Sequence, residues 1–549
     1  MPTLTWIGKK AVENHHRQVP FHLLREVPEL SFGAPGSGNL IVEGDNLLAL
    51  KALLPYYAGQ VKCIYIDPPY NTGNEGWTYN DNVTSAEIRE WLGKVVGREG
   101  DDLTRHDKWL CMMYPRLCIL KQFLSSNGVI AVSIDDNELN NLGMLLDEIF
   151  GQKNRLACAP WLAEPSGGKE KTGLRGGHEY IFVYHNGDDQ DISREIRSTG
   201  KLDLQDEKGK YRKGRELRKW GGISLRIDRP GQWYPLLTPE GIEVWPIRND
   251  GKEGHWRWGK EQKMKSIVED PKNAHWELRP FDEGVVWKGQ KERWVPHEKI
   301  RDVSKSIGWS TWLDSFGFNS DATRELKGIF GSKPFDTPKP SALVRWLISL
   351  HSDESCLVLD SFAGSGTTAQ ATLMLNEEDG GNRRFILVEM DQKIAREITA
   401  ERVKRVAEGY KNAKGEKVTG LGGAFTFAVL GDAMFDEMGK IRPTVNFIDL
   451  ARHVYFTETG VPAADEPTSK SPLIGEFNGK AIYLLYNGIL KDKSPNGGNV
   501  LTTSVLTALP KHEGPKVVYG TSCRISKDRL RKEGIEFKQL PYKLRVGVL

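Results

Sequence analysis

Residues 356–391 contain two apolar runs, CLVLD and FILVEMD, separated by a segment that begins SFAGSGTTAQATLML. Both runs have the length and composition of buried strands, and the segment between them places apolar residues at helical spacing after a glycine-rich start. Strand, glycine loop, helix and strand in this order are typical of an α/β protein built on a parallel sheet. The glycines let the loop turn tightly and approach a ligand at the positive end of the helix.

The first part of the chain repeats the same alternation. NLIVEGD (residues 39–45) and VKCIYID (residues 61–67) read as strands around the helical pattern NLLALKALLPYY. A helix over 107–126, a strand over 128–135 and a helix over 136–151 follow, and two runs at 156–163 and 178–186 predict an antiparallel hairpin at the sheet edge. The chain is therefore predicted to be α/β, with helices on both faces of one large sheet.

The glycine loop, Asp360 to Thr368, is neither G-x-G-x-x-G nor a Walker loop, because no lysine follows its second glycine at phosphate-binding spacing. The next strand ends at Glu389, where a carboxylate could accept hydrogen bonds from both hydroxyls of a ribose. F-x-G-x-G alone is a weak signal, but its position between strand and helix predicts a site for a nucleotide or nucleoside cofactor.

The string Asp67-Pro68-Pro69-Tyr70 directly follows the strand pattern CIYI. Two prolines fix the backbone and remove two N–H donors, which leaves main-chain carbonyls as acceptors. A carboxylate, a carbonyl and an aromatic ring together suit a flat ring that carries an amino group. The alternative is a rigid turn in which Asp67 caps a helix and Tyr70 packs.

Composition limits the function classes only loosely. The chain has 549 residues, enough for two to four domains, and its 76 Lys and Arg against 73 Asp and Glu neither require nor exclude a nucleic-acid partner. We expect no membrane span, no disulfide and no structural metal, because no long apolar run and no Cys/His cluster at zinc spacing is present. The N-terminus lacks a secretion signal, which predicts a cytoplasmic protein.

Residues 187–302 have a different composition, rich in Gly, Pro, Arg and Trp, with half of the 16 tryptophans. The run at 201–220 is basic and could neutralise phosphates, although such a run can also be a solvated face. Its candidate DNA contacts are Arg212, Lys213, Arg215, Arg218 and Lys219. The tryptophans have an alternative role as the small core of this region.

D-P-P-Y followed by F-x-G-x-G resembles the amino-methyltransferases of DNA, in the beta-ordered, circularly permuted group. More narrowly, GNLIVEGDNLLALKALLPYYAGQVKCIYIDPPYNTGNEGWTYND, HEYIFVYHN, WPIRNDGKEGHWRWGKEQ and LKGIFGSKPFDTPKPSALVRWLISL are similar to the Mod methyltransferase subunits of type III restriction-modification systems and their stand-alone relatives. The resemblance runs from about residue 38 to about residue 428. It implies a Rossmann-like sheet that binds S-adenosylmethionine and methylates adenine N6 in double-stranded DNA after base flipping.

The resemblance also assigns roles to individual residues. The catalytic pocket is Asp67, Pro68, Pro69 and Tyr70. The cofactor-binding residues are Asp45, Lys339, Pro340, Asp360, Phe362, Ala363, Gly364, Ser365, Gly366, Thr367 and Glu389. Asp45 could instead cap the helix that follows it, and Lys339 could cap the helix that starts near Pro340.

The implied domains follow the order of the motifs. They are an N-terminal segment (1–37), the catalytic half of the core (38–186), an inserted target recognition domain (187–302), the cofactor-binding half (303–430) and a small C-terminal α/β domain (431–549). The family context implies a homodimer and a restriction or helicase subunit as partners. Two alternative functions remain open: a cytosine-N4 methyltransferase, and a non-catalytic DNA-recognition subunit of a nuclease or helicase complex.

Overall fold

A computed structural model of the protein describes residues 3–72, 105–167, 173–187, 192–198, 200–302, 304–412, 414–486 and 498–540. The chain divides into two compact units, one formed by Met1–Ser193 with Ser310–Leu549 and the other by Arg194–Trp309. The second unit coincides with the predicted insertion to within seven residues at each end. Most of the region predicted at 187–302 to be a target recognition domain therefore falls in the second unit.

Twenty-five strands lie in the described part of the chain. In chain order they are β1 (His22–Glu26), β2 (Leu40–Glu43), β3 (Val61–Ile66), β4 (Leu124–Ile134), β5 (Arg155–Leu162), β6 (His178–His185), β7 (Glu195–Ser198), β8 (Leu204–Asp206), β9 (Gly209–Glu216), β10 (Leu236–Leu237), β11 (Glu243–Val244), β12 (Ala274–Pro280), β13 (Glu292–Ile300), β14 (Ser304–Ile307), β15 (Leu357–Asp360), β16 (Arg384–Glu389), β17 (Gly409–Lys411), β18 (Lys417–Thr419), β19 (Thr426–Ala433), β20 (Leu473–Phe477), β21 (Lys480–Leu484), β22 (Val500–Leu501), β23 (Lys516–Gly520), β24 (Ser522–Cys523) and β25 (Ile535–Gln539).

The α-helices are described in the same order. They are Lys9–Val12, His15–Gln18, Asn46–Tyr57, Arg105–Phe123, Leu139–Leu146, Lys265–Glu269, Asn319–Phe330, Ser341–Ser349, Thr367–Asp379, Glu401–Glu408, Phe447–Thr459, Thr503–Ala508 and Lys527–Lys532. The predicted strands, helices and edge hairpin of the first half are confirmed, with bounds that differ by a few residues.

The first unit is built on a nine-stranded sheet in the order β1-β19-β2-β16-β15-β3-β4-β6-β5. Its six central strands, from β19 to β4, are parallel, and antiparallel strands close both edges. Strand β15, from the second half of the core, pairs directly with β3, from the first half. The carboxyl ends of these two strands therefore lie side by side at one edge of the sheet, although some 290 residues separate them in the sequence.

Alternation along β16 shows how the sheet is buried on both faces. Ile386 and Val388 belong to one buried apolar cluster, whereas Phe385 and Leu387 belong to another. Because successive side chains of a strand point to opposite faces, the two clusters lie on opposite sides of the sheet. This is the α/β architecture predicted from the sequence, in which the middle residues of β16 are apolar on both faces because both faces are covered.

The second unit contains the four-stranded sheet β12-β13-β9-β8 and the two-stranded sheets β10-β11 and β7-β14. Its buried cluster includes Trp256, Leu217 and Met264, with Trp258, Trp276 and Trp294 packed against it. Several of its tryptophans therefore form the unit's own core, which was the alternative considered from the sequence.

The C-terminal residues form a smaller mixed sheet, β20-β21-β23-β25, in which β21, β23 and β25 are parallel. Leu450 and Val454 of the helix Phe447–Thr459 pack in a cluster with Ile482 and Val517 of this sheet. The predicted α/β character of this region is confirmed, but the region belongs to the same compact unit as the nine-stranded sheet. No described helix is both long and apolar enough to cross a membrane.

Candidate active site

The loop Asp67-Pro68-Pro69-Tyr70 begins where β3 ends at Ile66. The indole N–H of Trp109 donates a hydrogen bond of 2.7 Å to the Pro69 carbonyl, so the helix Arg105–Phe123 holds the loop from one side. A segment with two prolines has few N–H groups that could anchor it by hydrogen bonds. In this loop the Pro69 carbonyl provides the anchor instead.

A buried carboxylate fixes the residue after this loop. Asn71 adopts a left-handed backbone conformation with φ of 57°, and its side-chain amide donates 2.5 Å to Glu138. Glu138 is fully buried and also accepts from His106 (2.6 Å) and Asn141 (2.7 Å). Asparagine tolerates this conformation better than most residues, and the charge-assisted hydrogen bonds stabilise it.

The glycine loop joins β15 to the helix Thr367–Asp379. Gly364 and Gly366 have φ of 49° and 81°. A Cβ on Gly364 would lie 3.1 Å from the Phe335 ring, and a Cβ on Gly366 would lie 3.2 Å from the Thr399 methyl group. Both positions therefore require glycine for backbone conformation and for space.

The fully buried Arg402 supports the glycine loop by hydrogen bonds, and nothing in the sequence predicted this contact. One Arg402 nitrogen donates to the hydroxyls of Ser365 (2.7 Å) and Thr367 (2.8 Å), and its Nε donates to Gln370 (2.9 Å). Burial lowers the pKa of Arg402 to about 10, so the side chain remains charged at neutral pH. Ser365 and Thr367, which were assigned to the cofactor, thus also hold the loop in shape.

Glu389 ends β16 beside this loop. One carboxylate oxygen accepts from the main-chain N–H of Gly364 (2.9 Å) and the other from that of Asp391 (2.8 Å). Burial raises the pKa of Glu389 well above its usual value, although these hydrogen bonds oppose the rise. The two hydrogen bonds fix the orientation of the carboxylate, which favours its use as an acceptor for a bound ligand.

Asp360 lies at the end of β15, and its carboxylate accepts from the Phe362 N–H (3.0 Å) and the Thr368 hydroxyl (2.5 Å). Burial raises the pKa of this carboxyl to about 7. Because the pKa in the folded state exceeds the unfolded value of 3.8, the stabilisation from this group is present at low pH and is lost as pH rises toward 7.

Replacing Asp360 by asparagine is therefore expected to have a pH-dependent effect on stability. The free energy of unfolding of Asp360→Asn relative to wild type should increase between about pH 4 and about pH 7, the unfolded and folded pKa values of this carboxyl, since only the wild type must ionise a buried acid. Urea denaturation across this range measures the difference. A difference that stays constant with pH would contradict the assignment.

The D-P-P-Y loop carries a charged cluster. Lys339 Nζ lies 2.7 Å from Asp67 Oδ2 and 3.6 Å from Glu179 Oε2, and 4.9 Å from the centre of the Tyr70 ring. Burial opposes the charge on Lys339, but Asp67 and Glu179 outweigh burial and raise its pKa. Burial and the two carboxylates raise the pKa of Tyr70 well above its usual value, so the phenol stays neutral.

The two loops share one cleft, because β15 and β3 are neighbours in the sheet. Its lining includes Asp67 and Lys339 on one side, Phe362, Gly364 and Thr367 on the other, and Phe335 beside them. The structure thus brings together the two motifs that the sequence had identified separately. Ligands bind at such an edge in open α/β sheets, outside the carboxyl ends of the strands.

Asp45 and Pro340 lie at the starts of helices. Asp45 accepts from the Leu48 N–H (3.0 Å), which is the capping role considered as an alternative, and Arg116 donates to its second oxygen (3.3 Å). The Gly44 N–H donates to the Glu389 carbonyl (3.0 Å), so Asp45 also lies next to the end of β16. Pro340 precedes the helix Ser341–Ser349. Lys339 does not cap that helix with its side chain, because its ammonium binds Asp67.

The basic residues predicted to bind DNA all lie in the second unit, on β9 or just after it. Arg218 is buried, donates to Glu216 (2.9 Å) and stacks over the Trp220 ring. Its guanidinium is therefore committed to the interior of the unit, which corrects the expectation that it contacts phosphates. Lys213 pairs with Glu277 at 2.6 Å, which reduces its positive charge as seen from outside.

Among the described residues, no group of three or more His, Cys, Asp or Glu side chains could hold a metal ion. The components of the site are fixed carboxylates, a glycine loop at a helix N-terminus and aromatic rings. This arrangement fits the expectation of a nucleoside cofactor beside a planar amino group.

Comparison with known proteins identifies the family. A family model described as DNA methylase matches residues 61–401, more than half of the chain. The chain belongs to this DNA methylase family. The matched range contains both the D-P-P-Y loop and the glycine loop, as well as the second unit between them.

Three curated relatives are similar over most of the chain. The Mod subunit of the type III restriction-modification enzyme EcoPI, from Escherichia phage P1, is 33% identical over 71% of this chain and 64% of that protein. The type II methyltransferase M.KpnI of Klebsiella pneumoniae is 33% identical over 68% of this chain and 89% of that protein. The StyLTI Mod subunit of Salmonella typhimurium is 30% identical over 81% of this chain and 68% of that protein. The match therefore spans slightly less than two thirds of the EcoPI subunit.

The residues of the cleft fit S-adenosylmethionine, the cofactor implied by the sequence resemblance. The fixed Glu389 carboxylate suits ribose hydroxyls, and the positive φ of Gly364 and Gly366 gives the loop a tight turn that a Cβ against Phe335 or Thr399 would disturb. The sulfonium is positively charged, and Asp67 places a carboxylate in the same cleft.

Proposed function

We propose that the chain is a site-specific DNA methyltransferase that transfers a methyl group from S-adenosylmethionine to adenine N6 in double-stranded DNA. The observation that carries this proposal is the pairing of β15 with β3, which places the D-P-P-Y loop and the glycine loop in one cleft. Membership of the DNA methylase family and the similarity to Mod subunits support it.

The cofactor would be held by residues on both strand ends. Glu389 would accept from the ribose. Phe362, Ala363 and Gly364 would line the cleft, and Gly366 would hold the turn of the loop directly before the helix Thr367–Asp379. Bound S-adenosylmethionine supplies an electrophilic methyl group on a sulfonium. We also propose Asp45 and Pro340 as cofactor contacts. Asp45 lies next to the end of β16, and Pro340 precedes the helix Ser341–Ser349.

The target amino group would be held by the D-P-P-Y loop. The amino nitrogen of adenine is a poor nucleophile, since its lone pair is delocalised into the ring. Asp67 and the Pro68 carbonyl would accept its two hydrogens, which favours tetrahedral geometry and localises the pair. The Pro69 carbonyl already accepts from Trp109, so of the two proline carbonyls we assign that of Pro68. Tyr70 would stack on the base after it leaves the duplex.

Base flipping and duplex recognition require a DNA-binding surface. We assign this role to the second unit, with Arg212, Lys213, Arg215 and Lys219 as candidate phosphate contacts. Arg215 is exposed, and it pairs loosely with Glu298 at 3.5 Å. Exposed pairs of this kind are weak and can exchange a carboxylate for a phosphate.

The names of the relatives support a proposal about assembly. The EcoPI and StyLTI proteins are named as subunits of type III restriction-modification enzymes, so we propose that this chain pairs with a restriction subunit that carries the helicase and nuclease. We further propose that it forms a homodimer and acts in the cytoplasm, where the cell's DNA is accessible to it.

Single-molecule sequencing of DNA from cells that express the protein tests this function. Methylated adenines in one short motif, absent when Asp67→Ala is expressed, are the expected result. Methylated cytosine would overturn the choice of base and retain the amino-group chemistry. No modification in either sample would favour a non-catalytic DNA-recognition subunit.

A further inference from the structure

Both carboxylate oxygens of Asp67 are occupied in the structure. Oδ1 accepts from the Tyr70 hydroxyl at 2.9 Å, and Oδ2 accepts from Lys339 Nζ at 2.7 Å. A carboxylate oxygen has two lone pairs, so an incoming amino group that needs Asp67 as its acceptor can use the second lone pair of an oxygen, but it competes with these two donors for the charge of the carboxylate. A charged group that is already paired in a largely buried pocket gives up its partner only at a substantial cost in free energy.

Glu179 offers both donors a second acceptor. Its Oε2 lies 2.9 Å from the Tyr70 hydroxyl and 3.6 Å from Lys339 Nζ. The Tyr70 hydroxyl has one proton and can donate to only one of the two carboxylates at a time. Lys339 has three donors, so a small movement lets it bind Glu179 alone.

The side chains are enclosed enough for these contacts to matter. The exposed fraction is 8% for Lys339, 16% for Asp67 and 18% for Glu179. Two carboxylates face one ammonium, so the cluster carries an excess negative charge in a poorly solvated place. Such a cluster is stabilised by every hydrogen bond that it receives, and the amino group of a base would add to these.

Strand β6 fixes the position of Glu179. The strand is paired on both sides, with β4 and with β5, and Glu179 lies opposite Trp161 of β5. Trp161 is itself fully buried and donates to the Gly317 carbonyl at 2.9 Å. Glu179 therefore reaches the D-P-P-Y loop from a rigid element, although 109 residues separate it from Tyr70 in the sequence.

We propose that Glu179 is a positioning residue that takes over the Tyr70 hydroxyl and the Lys339 ammonium, and so releases Asp67 to accept the amino group of the target base. This inference rests on the proposed function, because it concerns the acceptor that the methylated base requires. Glu179 itself need not touch the base. Its action is to change which carboxylate the two donors bind.

Variants of the full-length chain test the inference through the single-turnover rate of DNA methylation at saturating cofactor. Glu179→Gln keeps the shape and one acceptor oxygen, and should lower the rate roughly tenfold, whereas Glu179→Ala should lower it roughly a hundredfold. Cofactor affinity should change less than about threefold in both, because Glu179 lies outside the glycine loop. His178→Ala, an exposed change on the same strand, is the matched control and should retain the wild-type rate.

The Tyr70→Phe background separates this role from a structural one. Phenylalanine keeps a ring that can stack but removes the hydroxyl that competes for Asp67. The loss caused by Glu179→Ala should therefore be several-fold smaller in Tyr70→Phe than in the wild type. Equal losses in the two backgrounds, or wild-type rates in both Glu179 variants, would overturn the inference. If Glu179→Ala does not fold, the loss caused by Glu179→Gln is compared in the wild-type and Tyr70→Phe backgrounds, with the same criterion.

A failure of the proposed function would look different. In that case the wild-type protein itself would methylate no DNA, and the Glu179 variants would have no rate to lower. Fluorescence of 2-aminopurine placed next to the target adenine then reports base insertion without chemistry, and the N6 amino group of the target stays in place. A wild-type signal that Glu179→Ala leaves unchanged would overturn the inference on its own.

Discussion

Replacing Asp67 by alanine should lower the rate of methyl transfer at least about a thousandfold, the size of effect seen when a key electrostatic or proton-accepting group is removed from an active site. The alanine variant loses the acceptor that polarises the amino nitrogen. It also leaves Glu179 as the carboxylate that pairs with the Lys339 ammonium among the described residues. Rapid-quench measurement of single-turnover methylation gives the rate.

Asp67→Asn separates hydrogen bonding from charge. Asparagine retains one acceptor oxygen of the same reach, so its rate should lie between those of the wild type and Asp67→Ala. Calorimetric titration with S-adenosylmethionine should show an affinity within about tenfold of wild type for both variants, since the ribose contact is elsewhere. A rate close to wild type in Asp67→Ala would remove Asp67 from the chemistry.

Replacing Glu389 by alanine should weaken binding of S-adenosylmethionine roughly a hundredfold, because hydrogen bonds to a charged group contribute about 1.5–3 kcal/mol each. The variant also leaves the N–H groups of Gly364 and Asp391 without the acceptors that orient the loop. Calorimetric titration with the cofactor measures the loss. DNA affinity in the absence of cofactor should stay within about threefold.

The matched control for Glu389 is Glu408→Ala, an exposed glutamate at the end of the helix Glu401–Glu408. This variant should bind the cofactor as the wild type does. If Glu389→Ala also retained wild-type affinity, the end of β16 would not contact the ribose, and the cofactor would have to bind elsewhere in the cleft.

The β1 side of the large sheet was harder to predict than its centre or its other edge. The central strands β15 and β16 have unbroken apolar runs, Leu357–Leu359 and Phe385–Val388, because helices cover both faces, and this pattern is visible in the sequence. Strand β19 continues the parallel sheet beside β2 and was missed, since Thr426–Ala433 ends in Gly-Asp-Ala rather than in an unbroken apolar run. Strand β1 forms only by pairing with β19, and no local signal marks it.

The basic run at 201–220 shows why charge alone is a weak guide to contacts. Arg215 remains exposed, whereas Arg218, three residues later, is buried against Glu216 and Trp220. Arg215 is exposed because side chains alternate between the two faces of β9, and Arg218 is buried because of how the unit packs around it. The composition of the run predicts neither outcome, because it does not say which face of β9 meets the interior.

The sequence by itself determined the α/β class, the change of composition at 187–302, and the two loops to which we assign the chemistry. These features are local, because turn residues, apolar runs and short motifs act over a few neighbouring positions. Only the tertiary structure decided that Lys339 binds Asp67, that Glu179 lies against Tyr70 and that Arg402 supports the glycine loop. These contacts join residues that are 272, 109 and 37 positions apart in the chain, and Lys339 meets Asp67 because strands from both halves of the core pair in one sheet.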